Sequence, residues 1–118
     1  MPAPLASSER LAAALSHLAQ TIDARAADTD PDAKSWTAKL LKDGPAKCAK
    51  KLGEEGVEAA LAVAAGTDEE TASEAADLLY HLFVALRSRH ISLDDVALAL
   101  EKRQGISGIA EKESRKDS

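Results

Sequence analysis

A chain of 118 residues with a formal net charge of -5, 3% aromatic residues and one cysteine is the size of a single domain, large enough to bury a core without covalent staples. Its acidic balance excludes the basic field that displaces counterions from nucleic acid, and Cys48 alone excludes an internal disulfide or a thiolate zinc site. The opening "MPAPLASSER" lacks the basic start and apolar stretch of an export signal, and the longest apolar run, Ala59 to Ala65, falls far short of the ~20 residues that span a bilayer. The expectation is a soluble, cytoplasmic protein that engages neither membrane nor nucleic acid.

Alanine and leucine are plentiful and asparagine is absent, which favours helices over strands. The first helix is predicted over 8–26, where Leu11, Leu15, Leu18 and Ile22 recur at helical spacing behind the capping candidates Ser7 and Ser8. "ADTDPDAKS" reads as a loop, because Pro31 ends a helix at or before Asp30. "SWTAKLLK" is a short second helix with Ser35 as its cap; it stops at "DGP", where Gly44 suits a C-terminal turn and Pro45 the first position of a third helix reaching Ala65.

"TDEE" has the pattern of a capping box, with Thr67 and Glu70 bonding reciprocally, and starts a fourth helix that runs to about Arg89. "SLDD" repeats the signal at Ser92, and Leu93, Val96, Ala97 and Leu100 are expected to form the buried stripe of a fifth helix closed by Gly105. The remaining "ISGIAEKESRKDS" carries no helical stripe. The chain thus reads as an all-α bundle of about five helices over 1–105, followed by a mobile C-terminal arm, 106–118.

The charges are the informative part. At about 100° per residue, Lys47, Lys51, Glu54 and Glu58 share one stripe of the third helix, with Lys50 and Glu55 on its shoulders. Glu70, Glu74, Asp77 and His81 align on the fourth, whose apolar side, including Leu78, Leu79, Leu82, Phe83 and Leu86, is wider than the usual stripe and calls for packing neighbours on most sides. An isolated ExxE is ordinarily a solvated helix face with weak lysine pairs, and each exposed like-charge pair costs only a few tenths of a kcal/mol. Enclosure changes the balance. Two carboxylates about 5 Å apart in a partly buried trough repel by roughly 3 kcal/mol at an effective dielectric near 20. The tight "AGTDE" turn makes the third and fourth helices antiparallel neighbours, so their acidic ridges can face one another and would then need a cation. Oxygen-only ligands without a cysteine or a metal-spaced histidine pair suit Mg²⁺, commonly shared with substrate phosphates.

Glu55-Gly-Val-Glu58 followed by Glu74-Ala-Ala-Asp77 resembles the ExxE…ExxD pattern of the all-α nucleoside triphosphate pyrophosphohydrolases, the MazG-like superfamily. More closely, "SWTAKLL", "GPAKCAKKLGEEGVEAALA", "EAADLLYHLFVAL" and "SGIAEKESR" are similar to the phosphoribosyl-ATP pyrophosphohydrolase family, over nearly the whole chain. Trp36, where tyrosine is usual after the serine, and Cys48, where a larger aliphatic is usual, depart from that pattern.

The resemblance implies Mg²⁺-dependent hydrolysis of the α–β phosphoanhydride of phosphoribosyl-ATP, the second step of histidine biosynthesis, by a homodimer with sites built between helices. Carried over residue by residue, it implies Glu55, Glu58, Glu74 and Asp77 as metal ligands and Glu54, Glu55 and Glu58 as the catalytic carboxylates, with Glu54 a candidate for holding water. Phosphate oxygens also need cations, and Lys39, Lys47, Lys50, Lys51 and Arg103 are the candidates. Trp36 can stack on adenine or anchor the second helix; Gly53 and Gly56 suit close helix packing, or room for metal and phosphate. Two other readings share these features: a housekeeping nucleoside triphosphate pyrophosphohydrolase, and a non-catalytic helical module whose acidic ridge docks a basic partner.

Overall fold

The structure is a computed structural model that describes residues 5, 8–28, 30 and 34–105. The 106–118 arm and Pro31 lie outside the described residues. Five α-helices follow in order: α1 (Glu9–Ala26), α2 (Trp36–Asp43), α3 (Pro45–Ala65), α4 (Asp68–Ser88) and α5 (Leu93–Gln104). The described residues contain no strand, as the composition requires.

The local signals act as their chemistry dictates. Ser8 and Ser35 accept from the amides of Leu11 and Ala38, and both capping boxes form, Thr67 with Glu70 and Ser92 with Asp95. Gly44 sits between α2 and α3 at φ 96°, a conformation that costs glycine nothing, and Pro45 follows at the first position of α3. The α4 terminus uses a device the sequence did not announce. His90 adopts φ 58°, and the Ile91 amide donates back to the Leu86 carbonyl at 3.0 Å, closing the helix as a glycine ordinarily would.

α3 and α4 form a tight antiparallel hairpin, the most extensive helix pair in the fold. At its turn a Cβ on Gly66 would lie 2.9 Å from the Ala62 backbone, so only glycine fits. The Thr71 hydroxyl lies 2.8 Å from the Thr67 carbonyl and 3.0 Å from the Ala62 carbonyl, so its one proton is shared across the turn and helps to hold the register. Equal steps away from the turn then bring Glu58 beside Glu74 and, at the far end, Cys48 beside Val84.

The core occupies that far end. Ile22 of α1, Leu40 of α2, Cys48 of α3 and Val84 of α4 are buried together, flanked by Leu18, Leu41, Tyr80, Phe83 and Ala85. The Cys48 thiol is satisfied by the Leu40 carbonyl, 3.2 Å away. Arg87 reaches from α4 to Asp23 of α1 at 2.9 Å.

Toward the Gly66 turn the protomer is thinly covered. Ala62 is buried, but Val57, Leu61 and Val63 are 61%, 64% and 74% exposed, so the apolar half of α3 does not enter a core among the described residues. α5 likewise corrects an expectation: Leu93 and Leu100 are exposed, Val96 and Ala97 half-buried, and no residue of this helix is buried. α4 packs against α1, α2 and α3, yet Leu78, Leu79, Leu82, Phe83 and Leu86 stay partly exposed. Hydrophobic spacing reports which face is apolar; it does not report how far that face is covered.

Candidate active site

Halfway along the hairpin, α3 and α4 bring three carboxyl groups to one point. One oxygen from each of Glu55, Glu58 and Glu74 lies within 4.8 Å of the others. Glu55 and Glu58 are three residues apart on one face of α3, and the register that Thr71 helps to hold delivers Glu74 from α4. Glu58 is exposed, whereas Glu55 and Glu74 are half-buried, each with its Oε2 sealed from solvent and without a hydrogen-bond partner.

A sealed, unpartnered carboxylate oxygen is costly, because it has lost its water and gained no donor. The titration of the pair reflects this. Desolvation first, and next the charge of Glu58, push the Glu55 carboxyl above the usual glutamate range; His81 pulls against the shift and Asp77 adds to it. For Glu74, desolvation again leads, followed by the charges of Glu58, Asp77 and Glu55. The donors of the cluster are all hard oxygens, the set that suits a hard divalent ion.

The other candidates are placed less uniformly. Asp77 stands outside the tight trio, although its charge reaches both Glu55 and Glu74. Glu54 turns to the N-terminal side, accepting from Lys51 Nζ at 3.3 Å. Lys51 and Lys39 both approach the indole ring of Trp36, at 5.7 and 5.9 Å from its centroid. Among the described residues Lys47 and Lys50 make no ion pair or side-chain hydrogen bond, and neither does Arg103, in the last turn of a sparsely packed α5.

Gly53 and Gly56 require a correction: a Cβ built on either meets nothing within 4 Å, so close packing within the protomer is not their reason, and open space flanks the acidic cluster. Two features outside the candidate set border the cluster. His81, one turn beyond Asp77, hydrogen-bonds the Asp77 carbonyl through Nδ1 and stabilises negative charge on Glu55. The Thr37 and Tyr80 hydroxyls bond to each other, fastening the start of α2 to α4 beside the cluster. The first was signalled by its place on the acidic stripe; a pairing across 43 residues has no local signal.

Comparison with known proteins settles the family. The profile of the Phosphoribosyl-ATP pyrophosphohydrolase family matches residues 15–104. The chain belongs to the phosphoribosyl-ATP pyrophosphohydrolase family. It is 54% identical over 101 residues to a phosphoribosyl-ATP pyrophosphatase of Cereibacter sphaeroides (strain KD131 / KCTC 12085), covering 86% of this chain and 96% of that one. The enzymes of the same name from Dinoroseobacter shibae and Rhodobacter capsulatus are 54% and 53% identical, each with 86% of this chain and 97% of the relative aligned. Both helices that carry the acidic trio fall inside the span matched to the pyrophosphohydrolase family.

Proposed function

We propose that this chain hydrolyses the α–β phosphoanhydride of phosphoribosyl-ATP, giving phosphoribosyl-AMP and pyrophosphate in histidine biosynthesis. The observation that carries the reading is the pair of sealed, unpartnered oxygens on Glu55 and Glu74, facing Glu58, in a chain 54% identical to phosphoribosyl-ATP pyrophosphatases. An acidic cluster that merely docked a basic partner would have no reason to hide its oxygens from water.

Mg²⁺ is the cofactor of this proposal, with Glu55, Glu58 and Glu74 as its ligands and Asp77 beside them. Once bound, the ion would neutralise phosphate oxygens and make a neighbouring water more acidic. The chain's own residues supply the rest. Glu54 borders the trio and is the candidate to orient the attacking water. His81 favours the ionised form of Glu55, the form a ligand must take. Lys39, Lys47, Lys50 and Lys51 are the candidates for the phosphate oxygens, and Arg103 joins them only if assembly brings α5 to the site. The water oxygen bonds to phosphorus, its proton passes to a carboxylate, and the anhydride bond breaks with its electron pair remaining on the bridging oxygen.

The protein works as a homodimer in this account. Val57, Leu61 and Val63 on α3 and Leu98 and Leu100 on α5 are more than half exposed, a set that a second copy would cover. Among the described residues no helix is long and apolar enough to cross a membrane, and the proposed compartment is the cytoplasm.

Pyrophosphate release from phosphoribosyl-ATP, measured beside release from the standard ribo- and deoxyribonucleoside triphosphates, tests the assignment. A strong preference for phosphoribosyl-ATP is expected. Equal rates across the panel would instead identify a housekeeping pyrophosphohydrolase, and no release from any of them a non-catalytic module.

A further inference from the structure

Trp36 opens α2 and takes no part in the buried core. It is 47% exposed, and the core is built without it from Ile22, Leu40, Cys48 and Val84. Two ammonium groups from different helices converge on its ring instead. Lys39 Nζ of α2 stands 5.9 Å from the indole centroid and Lys51 Nζ of α3 stands 5.7 Å away, both within the range of cation–π attraction. Only Lys51 has an anionic neighbour among the described residues, Glu54 at 3.3 Å. Like charges gathered in this way repel one another, and the electron-rich ring, together with Glu54 beside Lys51, offsets that repulsion.

The location gives the pair a use. Lys51 precedes Glu55 by one helical turn on the same face of α3, and the Thr37–Tyr80 hydroxyl bond pins the start of α2 to α4 three residues beyond Asp77. Lys51 therefore borders one end of the acidic trio by its place on α3, with Lys39 joined to it through the shared ring, where the phosphates of a metal-bound polyphosphate would need further positive charge. We infer that Trp36 is a positioning residue whose indole gathers Lys39 and Lys51 into a paired-cation clamp for the pyrophosphate portion of the substrate. This rests on the phosphoanhydride reading above. When phosphate arrives, the ammonium groups stay seated on the ring and add charge-assisted hydrogen bonds to oxygen.

Trp36 is the one tryptophan of the chain, so intrinsic tryptophan emission belongs to it alone. Titration of the whole protein with inorganic pyrophosphate in Mg²⁺ buffer is expected to change that emission saturably, while sulfate at equal ionic strength leaves it unchanged. Lys39→Met and Lys51→Met each weaken the response severalfold. Trp36→Leu raises KM for phosphoribosyl-ATP roughly tenfold, the size expected of two partly exposed cation–π contacts, with kcat within about twofold, and Trp36→Tyr restores most of the loss. Pyrophosphate binding seen by calorimetry with silent emission, or an unchanged KM in a folded Trp36→Leu, would overturn the inference. Normal turnover with silent emission overturns the clamp and leaves the function standing; a saturable, lysine-dependent response without turnover supports the clamp and removes the function.

Discussion

The hydroxyls of Thr37 and Tyr80 hydrogen-bond to each other, joining α2 to α4 across 43 residues of sequence. Partly buried, the pair is worth about 1 kcal/mol, and removing one member strands the other. Tyr80→Phe and Thr37→Val should each lower unfolding free energy by about 1 kcal/mol in urea titrations. The double variant should cost less than the two singles together, because no orphaned hydroxyl remains.

Metal-free stability should depend on pH through the acidic cluster. Glu55 and Glu74 titrate above the ordinary value of 4.5 in the folded chain, so the native state binds more protons than the unfolded one in the window between the two values. Their contribution is fully present below 4.5 and is lost as pH rises through the elevated folded values. In EDTA, the melting temperature should therefore fall as pH climbs out of the ordinary glutamate range. Glu55→Gln, which keeps the shape and removes the charge, should flatten that slope and melt higher than wild type at neutral pH.

The same substitution should do the opposite to activity. Glu55→Gln, Glu58→Gln and Glu74→Gln are each expected to reduce kcat at least about a hundredfold in single-turnover assays with circular dichroism unchanged, as losing a charge-stabilising group from an active site commonly does. Asp77→Asn should lose less, since Asp77 acts on the trio through its charge from outside it. Equal losses for all four would move Asp77 into the ligand set.

Self-association is tested by charge. Leu61, 64% exposed on the apolar half of α3, should lie in the seam between two copies. Sedimentation of the wild type should give twice the protomer mass, and Leu61→Asp should shift the species to one protomer and lower its melting temperature. A wild type that sediments as one protomer at micromolar concentration would contradict the dimer.

Helix identity and ends were legible because they are set locally. Ser8, Ser35, Thr67 and Ser92 cap through contacts three residues long, and Gly44-Pro45 is a two-residue stop and start. The acidic trio was legible in part: ExxE fixes Glu55 and Glu58 on one face of α3, and the short turn brings α4 alongside. What separates Glu74 from Asp77 is the register of the hairpin, held in part by the Thr71 bond to the Ala62 carbonyl, a tertiary contact invisible to periodicity. The buried stripe expected of α5 failed for a related reason. Spacing identified its apolar residues, but no surface among the described residues covers them.

Calorimetric titration of the metal-free protein with Mg²⁺ tests the central claim most directly, beside the same titration of folded Glu55→Gln and Glu74→Gln. The wild type should show saturable binding and a melting temperature that rises with Mg²⁺, and both effects should be lost in the two variants. Identical heats and identical melting curves with and without Mg²⁺ in the wild type would contradict the account, leaving the sealed oxygens of Glu55 and Glu74 without a cation to serve.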